Sequence, residues 1–136
     1  MTLKTNAFAF FDACETGKGW DACAPYCLPD ASFSAQSSAL ADITTAQGYC
    51  GWMAGMFGPM PDARYELTGF AVDEERQTVI ASAVFHGTNT GEGPVPPTGK
   101  ATASDYAYIM RFEGGKLAHM TKIWNDGWAL AQLGWA

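Results

Sequence analysis

At Arg64 the hydrophobic period of the chain changes from that of a helix to that of a strand, and this switch constrains the fold more than any motif does. Upstream, Leu3, Ala7, Phe10, Phe11 and Cys14 recur at helical spacing, with Lys4, Asp12 and Glu15 elsewhere on the wheel. Residues 3–16 therefore read as an amphipathic helix, ended by Gly17 and Gly19. Phe8 lies off the stripe and asks for a second contact, a partner chain being one. Residues 20–27 read as a short helix stopped by Pro25 or Pro29, and residues 31–34 as a brief strand. A further helix starts where Thr44 and Gln47 make a capping box, in which hydroxyl and amide each satisfy an orphan backbone N–H. Tyr49, Trp52, Met53 and Met56 form its apolar stripe, and Gly58-Pro59 closes it. Gly48, Gly51 and Gly55 line a narrow adjacent face, which implies close packing on a sheet or room for a ligand. Downstream, alternation predicts strands at 64–72, 78–89, 101–112 and 117–125, with hairpin turns at 73–76 and 113–116. The Gly/Pro-rich linker 91–99 is long enough to fold over something, and residues 127–135 read as a short terminal helix or tail. Helices followed by a run of antiparallel strands give one α+β domain over residues 1–136.

The composition supplies a core for that architecture. Apolar types make up 48% of 136 residues and charged types 16%, enough to bury one core and too short a chain for two. A net charge of -6 repels phosphate, so nucleic acid and anionic membrane are not expected partners. No apolar run reaches the roughly 18 residues of a bilayer span. Asp12 and Glu15 sit where a signal peptide would need an apolar stretch, which makes a cytoplasmic location the expectation. Cys14, Cys23, Cys27 and Cys50 form no CxxC, and His86 and His119 lie far from them in sequence. Four buried reduced thiols, with no metal site, are the reading. With no phosphate loop, nucleophile elbow or ligand cluster, no cofactor is implied.

Alternation then assigns faces. If Lys122 meets water, as a lone lysine normally does, Met120, Trp124 and Asp126 share its side, and His119, Thr121, Ile123 and Asn125 face inward. In the preceding strand Arg111 marks the outside, together with Asp105, Ala107 and Ile109. Tyr106, Tyr108, Met110 and Phe112 then turn inward. That inner face is aromatic and Met-rich with a few polar atoms, which is how a small-molecule pocket is lined.

The element order, with the segments 85–91, 96–100 and 110–117 and the closing Gln132-Leu133-Gly134, resembles the SnoaL-like polyketide cyclases of the nuclear-transport-factor-2-like fold. The resemblance covers essentially the whole chain. It implies helices packed on a strongly curved antiparallel sheet forming a cystatin-like cone. It also implies an intramolecular aldol closure in which an aspartate late in the last strand is the general acid/base. Counting back from Gln132, that aspartate's place falls on Asn125, with Asp126 beside it, and a frequent family histidine is here Asn89.

The expected function is binding of a hydrophobic small molecule in the cone. Cyclase or isomerase chemistry on a carbonyl compound would run on Asp126, His119 or Asp105 as acid/base groups. Asn125, Asn89, Tyr106, Tyr108, Tyr49, Trp52, Met53 and Met56 would contact the substrate. A non-catalytic binding module and a structural dimer of the same fold are the alternatives. Met120, Trp124 and Phe8, read as projecting from the core, point to a homodimer formed by the outer face of the sheet.

Overall fold

A computed structural model describes residues 2–136; Met1 lies outside the described residues. Helix α1 (Leu3–Glu15) is capped by Thr2, whose hydroxyl accepts from the Thr5 N–H. A short helix α2 (Trp20–Cys23) runs into a 3-10 turn (Ala24–Tyr26) and then strand β1 (Cys27–Ala35). After a second 3-10 turn (Ser38–Leu40) comes α3 (Ala46–Gly55), then β2 (Arg64–Asp73), β3 (Thr78–Thr88), β4 (Ala101–Glu113), β5 (Lys116–Trp124) and α4 (Asp126–Leu133). The predicted elements are all present. The strand order is β1-β5-β4-β3-β2, antiparallel throughout except that β1 joins the edge parallel to β5. The result is an α+β cone with an open five-stranded sheet. The β4–β5 turn places Gly114 and Gly115 at φ 57° and 80°, the left-handed conformation that a two-residue hairpin loop demands. No described helix is long and apolar enough to cross a membrane.

The core lies between the helices and the concave face of the sheet. Ala7, Phe10, Phe11 and Cys14 of α1 are fully buried, as are Tyr49 and Cys50 of α3 and Tyr108 and Met110 of β4. Burying each Phe contributes roughly 1.5–3 kcal/mol. Phe11 meets Tyr65 and Tyr108 edge-on at 5.0 and 4.9 Å, which ties α1 to β2 and β4. Phe8 does find a second contact, edge-on against Phe70 of β2 at 5.8 Å, and stays partly exposed. All four cysteines are buried and free, as the sequence suggested.

Three local expectations are corrected. The cap of α3 is Thr45, one residue later than the predicted box: its hydroxyl accepts from Gly48 N–H at 3.0 Å, while Thr44 uses its carbonyl to accept from Phe33 N–H. The glycine stripe of α3 neither packs on the sheet nor lines a pocket. All three glycines are exposed, and a Cβ on Gly51 or Gly55 would meet nothing within 4 Å. Glu15 belongs to the buried stripe rather than the polar face of α1, four residues beyond Phe11 and eight beyond Ala7.

The largest correction is in β5. Arg111 pairs with His119 and Phe112 with Leu117, so Ala118 is an extra residue that reverses the alternation beyond it. Leu117 points in, and so do Met120, Lys122 and Trp124, paired with the inward Met110, Tyr108 and Tyr106. His119, Thr121 and Ile123 face out. The reading that let Lys122 mark the solvent side is inverted, and Met120 and Trp124 do not project from the core.

Candidate functional site

An apolar cavity of about 170 Å³ opens where α3, α4 and the sheet meet. Trp52, Met53 and Met56 of α3 form one wall, with Met60 from the following loop. Phe85 of β3, Thr102 and Tyr106 of β4, and Lys122 and Trp124 of β5 form the floor. Leu130 and Leu133 of α4 close the far side with Trp135.

Lys122 is the unusual member. Its side chain is extended from the sheet into the core, and the residue is only 5% exposed. Four aromatic rings surround Nζ, with centroids at 4.5 Å (Trp124), 5.1 Å (Tyr49), 5.3 Å (Tyr106) and 5.4 Å (Trp52). Its one hydrogen-bond acceptor among the described residues is the Tyr49 hydroxyl, at 2.8 Å. The Tyr49 and Tyr108 oxygens lie 3.2 Å apart, and Tyr108 donates to the Glu15 carboxylate through a short bond. Tyr108 spends its single proton on the carboxylate, so its oxygen accepts from Tyr49, which in turn accepts from Lys122. A directed chain Lys122–Tyr49–Tyr108–Glu15 thus joins the cavity to the buried end of α1.

Burial holds Lys122 below its ordinary pKa, opposed by the negative charge of Glu15. Burial likewise pushes both tyrosines of the chain up, aided at Tyr49 by Glu15 and at Tyr108 by Cys14 and then Glu15. Tyr106 is raised for the same reasons, burial first and Glu15 next. Its hydroxyl is buried and within hydrogen-bond distance of no acceptor among the described residues. Such a group costs about 1–3 kcal/mol until something accepts its proton.

The residues expected to act as acid/base lie elsewhere. His119 sits on the outer face of the sheet, 2.7 Å from Ser32 Oγ and 3.0 Å from Ser34 Oγ, and burial, then Arg111, lowers its pKa. Asp126 opens α4 and accepts from the Ala39 N–H at 2.9 Å, which holds its carboxyl below the usual range. It ties α4 to the turn at Ser38–Leu40 and is not part of the cavity wall. Asn125 is the N-cap of α4, accepting from Trp128 N–H. Asp105 is on the outer face, as its strand parity predicted, and lines a second pocket of about 300 Å³ together with Asn125 and Trp128.

Asn89 does not line the cavity either. Fully buried, it donates to the Pro59 carbonyl and accepts from Thr98 N–H and Trp135 Nε1, both at 2.9 Å. It holds three segments at the rim. Of the expected contact residues, Trp52, Met53, Met56 and Tyr106 do line the cavity, while Tyr49 and Tyr108 lie behind it in the polar chain.

Lys122 and Glu15 are the residues that the sequence reading missed. The signal for Lys122 was its neighbours two residues away, Met120 and Trp124, which mark an apolar face. That for Glu15 was its place on the stripe of Ala7 and Phe11.

Cys14, Cys23 and Cys50 bring three sulfurs within 4.8 Å of one another, a donor set for a soft metal. Burial pushes the Cys14 thiol well above its ordinary pKa, while hydrogen bonds from Cys14 and then Cys50 lower that of Cys23 to about 4, so the cluster favours one thiolate rather than three.

A profile of the SnoaL-like domain family matches residues 7–120. No curated protein matches the sequence. Among solved structures, wild-type IdmH from Streptomyces antibioticus, a candidate polyketide cyclase, superposes with a TM-score of 0.80 at 20% identity, over 98% of this chain and 99% of that one. A candidate SnoaL-like polyketide cyclase from Jannaschia sp. CCS1 gives 0.75 at 16% identity, over 98% and 94%. A protein of ketosteroid isomerase-like fold from Catenulispora acidiphila DSM 44928 gives 0.70 at 19% identity, over 96% and 93%. At these identities the likeness concerns the fold.

Proposed function

The chain belongs to the SnoaL-like domain family, and from that premise we propose that it binds a hydrophobic carbonyl compound in the cavity and catalyses a cyclisation or isomerisation by proton transfer. One observation carries the reading: a buried lysine in an apolar cavity wall, linked through two tyrosines to a buried glutamate.

In this reading Lys122 takes the role first sought in Asp126, His119 or Asp105. Its proton passes along Tyr49 and Tyr108 to Glu15, and the resulting amine abstracts a proton next to the substrate carbonyl. Negative charge then develops on the carbonyl oxygen, and the ammonium that Lys122 regains by the abstraction is the group in the cavity wall to offset it. The surrounding rings exclude water, which strengthens both interactions.

The test is a screen of single-ring and alicyclic ketones and aldehydes, followed by Lys122→Met on any substrate found. Turnover should fall by about 10²–10⁴-fold while circular dichroism is unchanged. Full turnover in the variant would overturn the assignment of the lysine. Binding by the parent protein with no turnover of any compound would support a non-catalytic binding module instead.

The proposal extends to assembly. Two copies pair through the convex face of the sheet, where Ile80 and Ile123 are exposed beside Ile109 and Ala107. These residues replace Met120 and Trp124 as the motive for a dimer.

A further inference from the structure

We propose that Lys122 is also a nucleophile, forming an imine with the aldehyde or unhindered ketone group of a one-ring hydrophobic compound held in the cavity. This rests on the reading of the cavity as a site for carbonyl compounds and goes beyond it by making the intermediate covalent.

Three observations support the step. The first is hydration: an ammonium carries three donors, and Nζ has one acceptor among the described residues, Tyr49. No carboxylate among the described residues forms an ion pair with it. A dehydrated lysine with a single neutral partner is the kind that loses its proton readily, as nucleophilic lysines must. The second is a destination for that proton, since the Tyr49–Tyr108–Glu15 chain ends on a carboxylate inside the protein. The third is the box of four rings. A protonated imine keeps the positive charge of the ammonium at the same place, so the rings that attract one attract the other.

The step balances without a co-reactant. Lys122 gives one proton through the chain to Glu15, and its lone pair attacks the carbonyl carbon while the π pair moves to oxygen. A second nitrogen proton passes to that oxygen, giving a carbinolamine. The Glu15 proton returns along the chain to the hydroxyl, the C–O bond breaks, water leaves, and the nitrogen lone pair closes the C=N bond as a protonated imine. The net change is ammonium plus carbonyl to iminium plus water. Size selects the ligand: a cavity of about 150 Å³ accommodates benzene, and this one measures about 170 Å³.

The experiment uses benzaldehyde with sodium cyanoborohydride on the whole protein at neutral pH. Intact mass and peptide mapping follow the reaction, and tryptophan fluorescence follows binding through Trp52 and Trp124. The expected result is a reduced adduct, the mass of the aldehyde less one oxygen, mapped to Lys122. It should form about tenfold or more faster than at Lys4, Lys18, Lys100 or Lys116, which are exposed and hold their protons in water. Mapping on the parent protein locates the adduct even if a variant fails to fold, and folded Lys122→Met should bind benzaldehyde without giving it. Saturable quenching without an adduct at Lys122, or labelling spread evenly over the lysines, overturns the imine and leaves the cavity reading standing. Neither quenching nor adduct overturns both.

Discussion

A lysine placed among aromatic rings has a thermodynamic signature that separates it from a surface charge. The folded protein holds Lys122 below its ordinary pKa of 10.5, chiefly through burial. Between the folded value and 10.5 the unfolded chain therefore binds more protons than the native one, and this group makes stability rise with pH. The contribution is complete above 10.5 and is lost as pH falls through the folded value. Raised thiols such as Cys27, pushed up to about 12 by burial, act in the opposite direction at high pH. The difference between parent and Lys122→Met isolates the lysine. The melting temperature of the parent should gain on that of the variant between pH 7 and 10, by up to roughly 1.4 kcal/mol per pH unit in free energy. At pH 7 the variant should be at least as stable as the parent, because an apolar side chain of similar length removes a buried charge. A gap that stays constant from pH 7 to 10 would show that the lysine titrates normally.

Among the elements, the bulge in β5 and the junction at Asn89 decide what the cavity contains. Ala118 is the inserted residue that turns Lys122 inward, and the pairing of Tyr108 with Lys122 then sets the lysine beside the tyrosine chain. Asn89 sits where β3 ends and joins the Pro59 loop, Thr98 and Trp135, so the rim depends on one side chain. Asn89→Ala should leave the Thr98 N–H and the Trp135 indole N–H without partners, while Gly91 N–H still donates to the Pro59 carbonyl. The expected loss is about 2–6 kcal/mol at about 1–3 kcal/mol for each orphaned group. Thermal unfolding should shift down by about 6 °C or more, and Trp135 fluorescence should move to longer wavelength as the indole is released to water. A melting temperature within a degree of the parent would show that the junction is not what holds the rim.

For the whole molecule, the proposed dimer has a concrete geometry to test. Its convex face carries Ile80 opposite Ile109 and Ile123 opposite Ala107, with small residues such as Ser34, Ser82 and Thr121 around them. Light scattering at micromolar concentration should give twice the monomer mass of 14.6 kDa. Ile80→Lys combined with Ile123→Lys should return it to the monomer, since two cations per copy would have to be desolvated in the contact. A monomeric parent would sink the pairing, and a dimer that ignores both substitutions would move the contact to another face. Neither result bears on the cavity, whose strand residues Tyr106, Lys122 and Trp124 lie on the opposite face of the sheet.

What the sequence determined by itself were the features governed by local periodicity and turn chemistry. The helix of Leu3, Ala7, Phe10 and Phe11, the four long strands, the Gly114-Gly115 hairpin and the inward set Tyr106, Tyr108, Met110 and Phe112 were all legible. They depend on neighbours within a few positions. The family was legible too, from segments spread along the chain. The identity of the charged group in the cavity was not. Strand parity holds only while each residue has one partner, and the extra Ala118 becomes visible only when β5 is laid against β4. The rule that a lone lysine meets water assumes that it has no partners. Lys122 acquires its partners from α1, α3, β4 and β5, with Glu15 lying 107 positions earlier in the chain. Only the tertiary structure brings those groups together, because the desolvation of the lysine is offset by rings and hydroxyls that no local pattern relates to it.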